Sequence, residues 1–193
     1  KLSIMGMTVR RNKDTRTPRV LMHKVADIRG GVSVNVSELG GDYLREGAFL
    51  SAPVDGICHV VKTATVSADV AAAEKTVKVE KLHNFKSGDF VLAKTGGVAV
   101  KIDSIDTSNK AYDVLTLSAV LGAISKGSQI AEAKEAAAEN TSALKYHALS
   151  VVGTGKPIDP KSNLDTDAWV IAVTHGNPIP DFLADDLKGI INY

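Results

Sequence analysis

Cysteine is almost absent: Cys58 is the only one in 193 residues. An internal disulfide is therefore excluded, and a zinc site would have to be built from histidine and carboxylate ligands. The missing bridge fits a reducing compartment. Aromatic side chains are scarce as well, with one Trp, four Tyr and four Phe, so a core must be built from Val, Ile, Leu and Ala. Long apolar runs are missing. The longest, Ala168-Trp169-Val170-Ile171-Ala172-Val173, is far short of the roughly 20 residues of a membrane-spanning helix, and no stretch has the pattern of a secretory leader. An excess of one charge is missing too: 23 basic against 22 acidic residues give +1, with no global pull toward nucleic acid.

The length suits one large domain or two small ones, and a chain of this size needs no metal or disulfide staple to be stable. Charge is unevenly spread. Residues 1–24 carry seven basic side chains against Asp14 alone, a net of +6, which leaves about −5 for the rest. This segment lacks helical periodicity and reads as a basic N-terminal arm, with one short strand at Val20-Leu21-Met22.

From residue 25 the pattern is that of strands. Val32-Ser33-Val34-Asn35-Val36 alternates apolar and polar between Gly30-Gly31 and Gly40-Gly41, the period of a half-buried strand. Asp55-Gly56 separates Leu44–Leu50 from Ile57–Lys62 and supplies the positive φ that tight hairpins require. Thr76-Val77-Lys78-Val79 alternates again. Thr95-Gly96-Gly97 joins Phe90–Lys94 to Val98–Ile102, and Ser108-Asn109-Lys110 precedes Tyr112–Leu117. Short strands at regular intervals predict a small barrel or sandwich. Residues 132–140 are strong helix formers without an apolar stripe and read as a surface linker or short exposed helix. Near the end, Ile179, Phe182, Leu183, Leu187 and Ile190 recur at helical spacing behind Asp181, predicting a short terminal helix capped by that residue. The expected fold is mainly β: a β-sandwich-like base domain formed by 25–64 plus 141–193, a small β-barrel inserted at 65–131, the linker 132–140, and a short C-terminal helix.

Chemical motifs are sparse. His23, His59, His83, His147 and His175 stand apart in sequence, with no metal-ligand spacing and no visible carboxylate partner. Gly153-Thr154-Gly155-Lys156 looks like a phosphate loop, but Ser150 and Pro157 occupy positions where that loop needs glycine and a hydroxyl, so it reads as a turn. Asn163, Asp165 and Asp167 have the alternate spacing of a calcium loop, but Ala168 and Thr174 stand where glycine and glutamate are required. These acids are expected to bond local backbone N–H groups ahead of Trp169. Cys58 lies in an apolar alternation beside His59, and neighbours on a strand face opposite ways, so it reads as a packed thiol. Trp169 reads as core. No catalytic residue, metal site or cofactor is expected.

Several strings carry a resemblance. Leu44-Arg45-Glu46-Gly47-Ala48-Phe49-Leu50, Gly56–Ala64, His83-Asn84-Phe85-Lys86-Ser87-Gly88-Asp89, Thr141–Tyr146, Val152–Pro157, Leu164–Ile171 and Leu187–Tyr193 resemble the head fiber proteins of tailed phages and prophages of Bacteroides-type bacteria. The similarity covers roughly residues 40–193. It implies a virion protein made in the bacterial host cytoplasm, displayed on the capsid exterior as a trimer and bound to the major capsid protein, with no catalytic residues to carry over. Abundant sheet edges independently favour a homo-oligomer. Charge alone points to Arg10, Arg11, Lys13, Arg16 and Arg19 as residues that dock on an acidic capsid surface. An adhesive module for host-surface glycans is the alternative. A hydrolase using a carboxylate or His83 is a third class. Neither nucleic acid nor membrane is an expected partner.

Overall fold

The computed structural model describes residues 20–193. Its strands are β1 (Leu21–Asp27), β2 (Val32–Asn35), β3 (Tyr43–Leu44), β4 (Phe49–Ser51), β5 (Ile57–Val61), β6 (Thr63–Thr65), β7 (Thr76–Val79), β8 (Phe90–Leu92), β9 (Ala99–Asp106), β10 (Asp113–Leu117), β11 (Gln129–Ala133), β12 (Ala148–Val152), β13 (Lys156–Pro157), β14 (Leu164–Thr166), β15 (Ala168–Thr174) and β16 (Ile190–Asn192). The protein is mainly β, as its alternations predict.

The base is an eight-stranded sheet in the order β1-β15-β12-β4-β5-β2-β14, with β16 added to β15. The ribbon β3–β13 forms a second, much smaller layer. Leu44 of that ribbon packs with Val34, Leu50, Cys58, Val60, Val152 and Ala168 of the large sheet, so the base is sandwich-like with unequal layers. Asp55 (φ 50°) and Gly56 (φ 79°) make the turn joining β4 to β5, and the two strands pair antiparallel. Two positive φ values in succession are the geometry of the favoured two-residue hairpin turn.

The insertion is a single six-stranded sheet, β6-β11-β8-β9-β10-β7. Its first and last strands meet: Val66, just past β6, bridges Val79, Ser67 N donates to Lys78 O at 2.8 Å and Glu80 N to Thr65 O at 2.9 Å. The sheet thereby curls toward a small barrel, with strands running from Thr63 in β6 to Ala133 in β11. Its interior is aliphatic, with Val77, Val79, Val91, Ile102, Leu115 and Ile130 buried together.

A third cluster spans both units. Leu92, Ala99, Ala131 and Ala133 from the barrel pack against Phe49, Val61, Leu144 and Val151 from the base. A fully buried aliphatic side chain contributes roughly 1.5–3 kcal/mol, so the two units stabilise each other across this seam.

Three expectations are corrected. The stretch 132–140 forms no helix. Glu132 and Ala133 lie inside β11, Ala137 bridges Ala99, and Asn140 turns the chain with φ 71°. Backbone pairing here outweighs alanine's helix propensity. The terminal helix is only a 3-10 turn, Asp181–Leu183, and Asp181 lies within it; Pro180 is at the cap position without a side-chain hydrogen bond. Leu183, Leu187 and Ile190 still face the core, but Ile190 does so from β16, parallel to β15. The boundary drawn at residue 24 falls in the middle of β1, so Leu21–Lys24 belong to the base sheet.

Candidate functional site

The proposed docking residues Arg10, Arg11, Lys13, Arg16 and Arg19 lie outside the described residues. What can be placed is the point where the arm joins the base. Glu46 Oε1 accepts from Leu21 N at 2.7 Å and Val20 N at 3.2 Å. The chain is thus fixed to the sheet from Val20 onward.

That junction leads into the most exposed apolar region of the base. β1 ends the sheet order, so among the described residues no strand pairs with its outer edge. Val25 on β1 is 67% exposed, Ile191 on β16 63% and Tyr193 66%, and Met22 and Ile171 are exposed as well. His23, Val173 and Ile191 are successive cross-strand partners. Open edges of this kind are normally blunted or covered.

The seam holds a chain of charges that the sequence concealed. Lys62, between β5 and β6, is 1% exposed. Its Nζ lies 2.7 Å from Asp89 Oδ2 and 3.2 Å from Glu132 Oε1. Glu132 Oε1 also meets Lys145 Nζ at 2.8 Å, and Lys145 continues to Glu38 Oε2 at 3.3 Å. Glu38 accepts from Tyr146 Oη at 3.1 Å and sits 2.6 Å from His59 Nδ1, whose ring stacks on Tyr146. Burial raises the Glu132 pKa, an effect its two lysines only partly offset. At Glu38, burial also acts upward, but His59 and Lys145 outweigh it and the pKa is lowered. Lys145 is raised: burial would lower it, yet Glu132 and Glu38 prevail. Two lysines thus bridge three carboxylates, and the network braces entry strand, exit strand and base against one another. A single Lys or Glu inside otherwise apolar strands, as at Lys62 and Glu132, is the signal that a buried partner exists.

Beside the network a cleft of about 460 Å³ opens between base and barrel, lined by Gly40–Tyr43 on one side and Lys81–Ser87, Ile105, Thr107 and Asp113 on the other. Leu82 (φ 66°) and Asn84 (φ 60°) are both left-handed. For a branched residue such as Leu82 this conformation costs on the order of 1–3 kcal/mol and persists only where surroundings impose it. Between them His83 is buried. Its Nδ1 accepts from Phe85 N at 3.0 Å, which places the ring proton on Nε2. Nε2, itself shut off from solvent, lies 3.2 Å from Asp113 Oδ2. Asp113 Oδ1 pairs with Lys81. Burial lowers the His83 pKa and Asp113 only partly restores it. With one nitrogen accepting and the other against Asp113, neither is open to take a proton from a substrate.

The remaining sequence motifs resolve as structure. A Cβ on Gly153 would overlap Asp167 and the Trp169 indole, so the phosphate-loop lookalike is a turn that admits a large ring. Asn163–Asp167 contains β14, and Asp167 Oδ2 accepts from Trp169 Nε1 at 2.9 Å instead of from backbone N–H groups as expected. Trp169 is half-buried, with Lys24 Nζ 5.2 Å from its ring centroid. Cys58 is buried, and burial raises its pKa. Among the described residues no group of three or more His, Cys, Asp or Glu converges as metal ligands. Three of the five histidines have carboxylate partners that sequence reading missed: Glu38 for His59, Asp113 for His83 and Asp186 for His147. Each lies at least 21 positions away, at a separation that no local motif reveals.

Comparisons with protein-family models, with curated proteins and with solved structures find no match to this chain.

Proposed function

We propose that this chain is a structural component of a phage virion, a head fiber or capsid decoration protein. It is made in the host cytoplasm, assembles as a trimer and binds the major capsid protein on the capsid exterior. The observation that carries the reading is the β1 edge, unpaired among the described residues, with Val25 exposed on it and Ile171, Ile191 and Tyr193 exposed on and beyond the strands β15 and β16 behind it. An edge strand flanked by apolar side chains is suited to association with further copies. It also lies where the basic arm joins the sheet, so a chain docked through its arm holds this edge close to its neighbours. The motif resemblance to head fibers supports the same reading.

The reading is one of assembly, not catalysis, and it is supported by His83, whose Nδ1 accepts from Phe85 N and whose Nε2 is shut off from solvent. Docking through Arg10, Arg11, Lys13, Arg16 and Arg19 is electrostatic and is expected to weaken with salt. Light scattering coupled to size-exclusion chromatography is expected to give three times the monomer mass, and a monomer would overturn the oligomer. Deleting residues 1–19, which leaves β1 intact, is expected to abolish cosedimentation with capsids. Unchanged occupancy would dispose of arm-mediated docking.

A further inference from the structure

The seam cleft presents a side-chain amide at its opening. Asn84 is only 5% exposed, and its main-chain oxygen accepts from Gly40 N at 2.9 Å. Its side-chain amide, by contrast, has no hydrogen-bond partner among the described residues and lines the cleft. The amide atoms are not closed off within the seam; they meet solvent at the cleft and stay free to exchange hydrogen bonds there. Glycine at position 41 makes the room: a Cβ there would come within 2.9 Å of Asn84 Oδ1. An amide offers both a donor and an acceptor at one point, and here both are presented to a cavity between two units, a common setting for small-molecule sites.

We propose that this cleft binds a neutral saccharide of one or two rings. The charges in its lining balance, Lys81 and Lys86 against Asp42 and Asp113, so nothing selects an ionic ligand. The lining includes the Asn84 amide and the Thr107 hydroxyl, together with Ser87, whose hydroxyl donates to Asp103 O at 2.5 Å and keeps only acceptor capacity; such groups exchange hydrogen bonds with sugar hydroxyls. Leu82, 42% exposed, and half-buried Ile105 offer an apolar face for ring C–H groups. The volume of about 460 Å³ lies at the small end of ordinary ligand pockets. The strained conformation of Leu82 brings that side chain and Asn84 to the same opening. This site is independent of the virion reading: it would stand on a protein of any role with this seam.

The test uses the full chain, labelled with nitrogen-15, and a panel of glucose, galactose, mannose, N-acetylglucosamine and their common disaccharides. At least one is expected to receive saturation transfer from the protein and to shift the backbone amide signals of Gly41, Leu82, Asn84 and Ser87. Asn84→Gly, which keeps the positive φ without strain, and Asn84→Asp, which removes the donor, are each expected to weaken binding about tenfold or more. Absence of transfer across the panel would overturn the proposal. So would shifts mapping to another surface, or wild-type affinity in Asn84→Gly. The shift map needs only the wild-type protein, so it decides for or against the site even where a variant fails to fold.

Discussion

Lys62 Nζ lies 2.7 Å from Asp89 Oδ2, with the lysine side chain wholly closed off from solvent and the aspartate nearly so. Taking an ammonium group from water costs several kcal/mol unless carboxylates and hydrogen bonds replace the lost solvation. Here Asp89 and Glu132 do so together. Asp89 is itself held by Lys86 N at 2.9 Å. The pair lies where the chain crosses from base to barrel, and its geometry fixes that crossing.

Replacing Lys62 by Met leaves two carboxylates buried beside an apolar side chain. The expected loss is about 3–5 kcal/mol in denaturant unfolding. The triple variant Lys62→Met, Asp89→Asn, Glu132→Gln removes all three charges and is expected to recover most of it. A loss below about 1 kcal/mol in the single variant would show that the network is not buried as described.

His83 makes stability depend on pH. Its folded pKa is lowered from 6.5, first by burial and further by Lys81 and Arg45, with Asp113 opposing. Protonation therefore costs more in the folded chain than in the unfolded one. The contribution is fully present above the unfolded pKa near 6.5 and is lost as pH falls through the lower folded value. His83→Asn keeps an acceptor for Phe85 N and does not titrate. The stability difference between wild type and variant is expected to be flat above about pH 6.5 and to move against the wild type below it. A difference independent of pH from 7 down to 4 would contradict this.

Gly40 packs against the barrel so closely that a Cβ would overlap the main-chain oxygen of Phe85. Backbone, unlike a flexible side-chain tip, cannot swing aside. Gly40→Ala is expected to cost about 1–3 kcal/mol and to speed hydrogen exchange at Gly40 N, which donates to Asn84 O. Wild-type exchange at that amide would show that the seam yields without strain.

The open edge gives a test of assembly. Val25→Lys combined with Ile191→Lys places two charges in the exposed apolar region. Both sites are well exposed, so thermal unfolding of the folded unit is expected to change little, within about 0.5 kcal/mol per site. The apparent mass in light scattering is expected to drop to that of one chain. An unchanged oligomer would move the interface elsewhere.

Much of the fold was legible. Thr76–Val79 alternates exposed and buried in space as it does in sequence, and the Thr95-Gly96-Gly97 turn joins antiparallel β8 and β9, because both signals are local. The Ala-rich 132–140 stretch misled for the opposite reason: its conformation depends on pairing with strands more than thirty residues away. The parallel pairing of β2 with β5 was equally invisible. So was the cleft, whose two walls come from residues some forty positions apart. Asn84 and Gly41 are unremarkable as letters and acquire meaning only when the seam closes.

The barrel leaves the base through β6 and returns through β11, and these two strands are themselves hydrogen-bonded, Thr63 opposite Ala131 and Thr65 opposite Gln129. The two leads of the insertion are therefore about 5 Å apart. Such a socket accepts exchange: a different segment with adjoining ends could be grafted between Thr65 and Gln129, provided that it returns a carboxylate to Lys62 in the place of Asp89, while Lys62 and Glu132 stay in place below the graft point. The base can thus keep its anchorage while what it holds outward is replaced as a cassette.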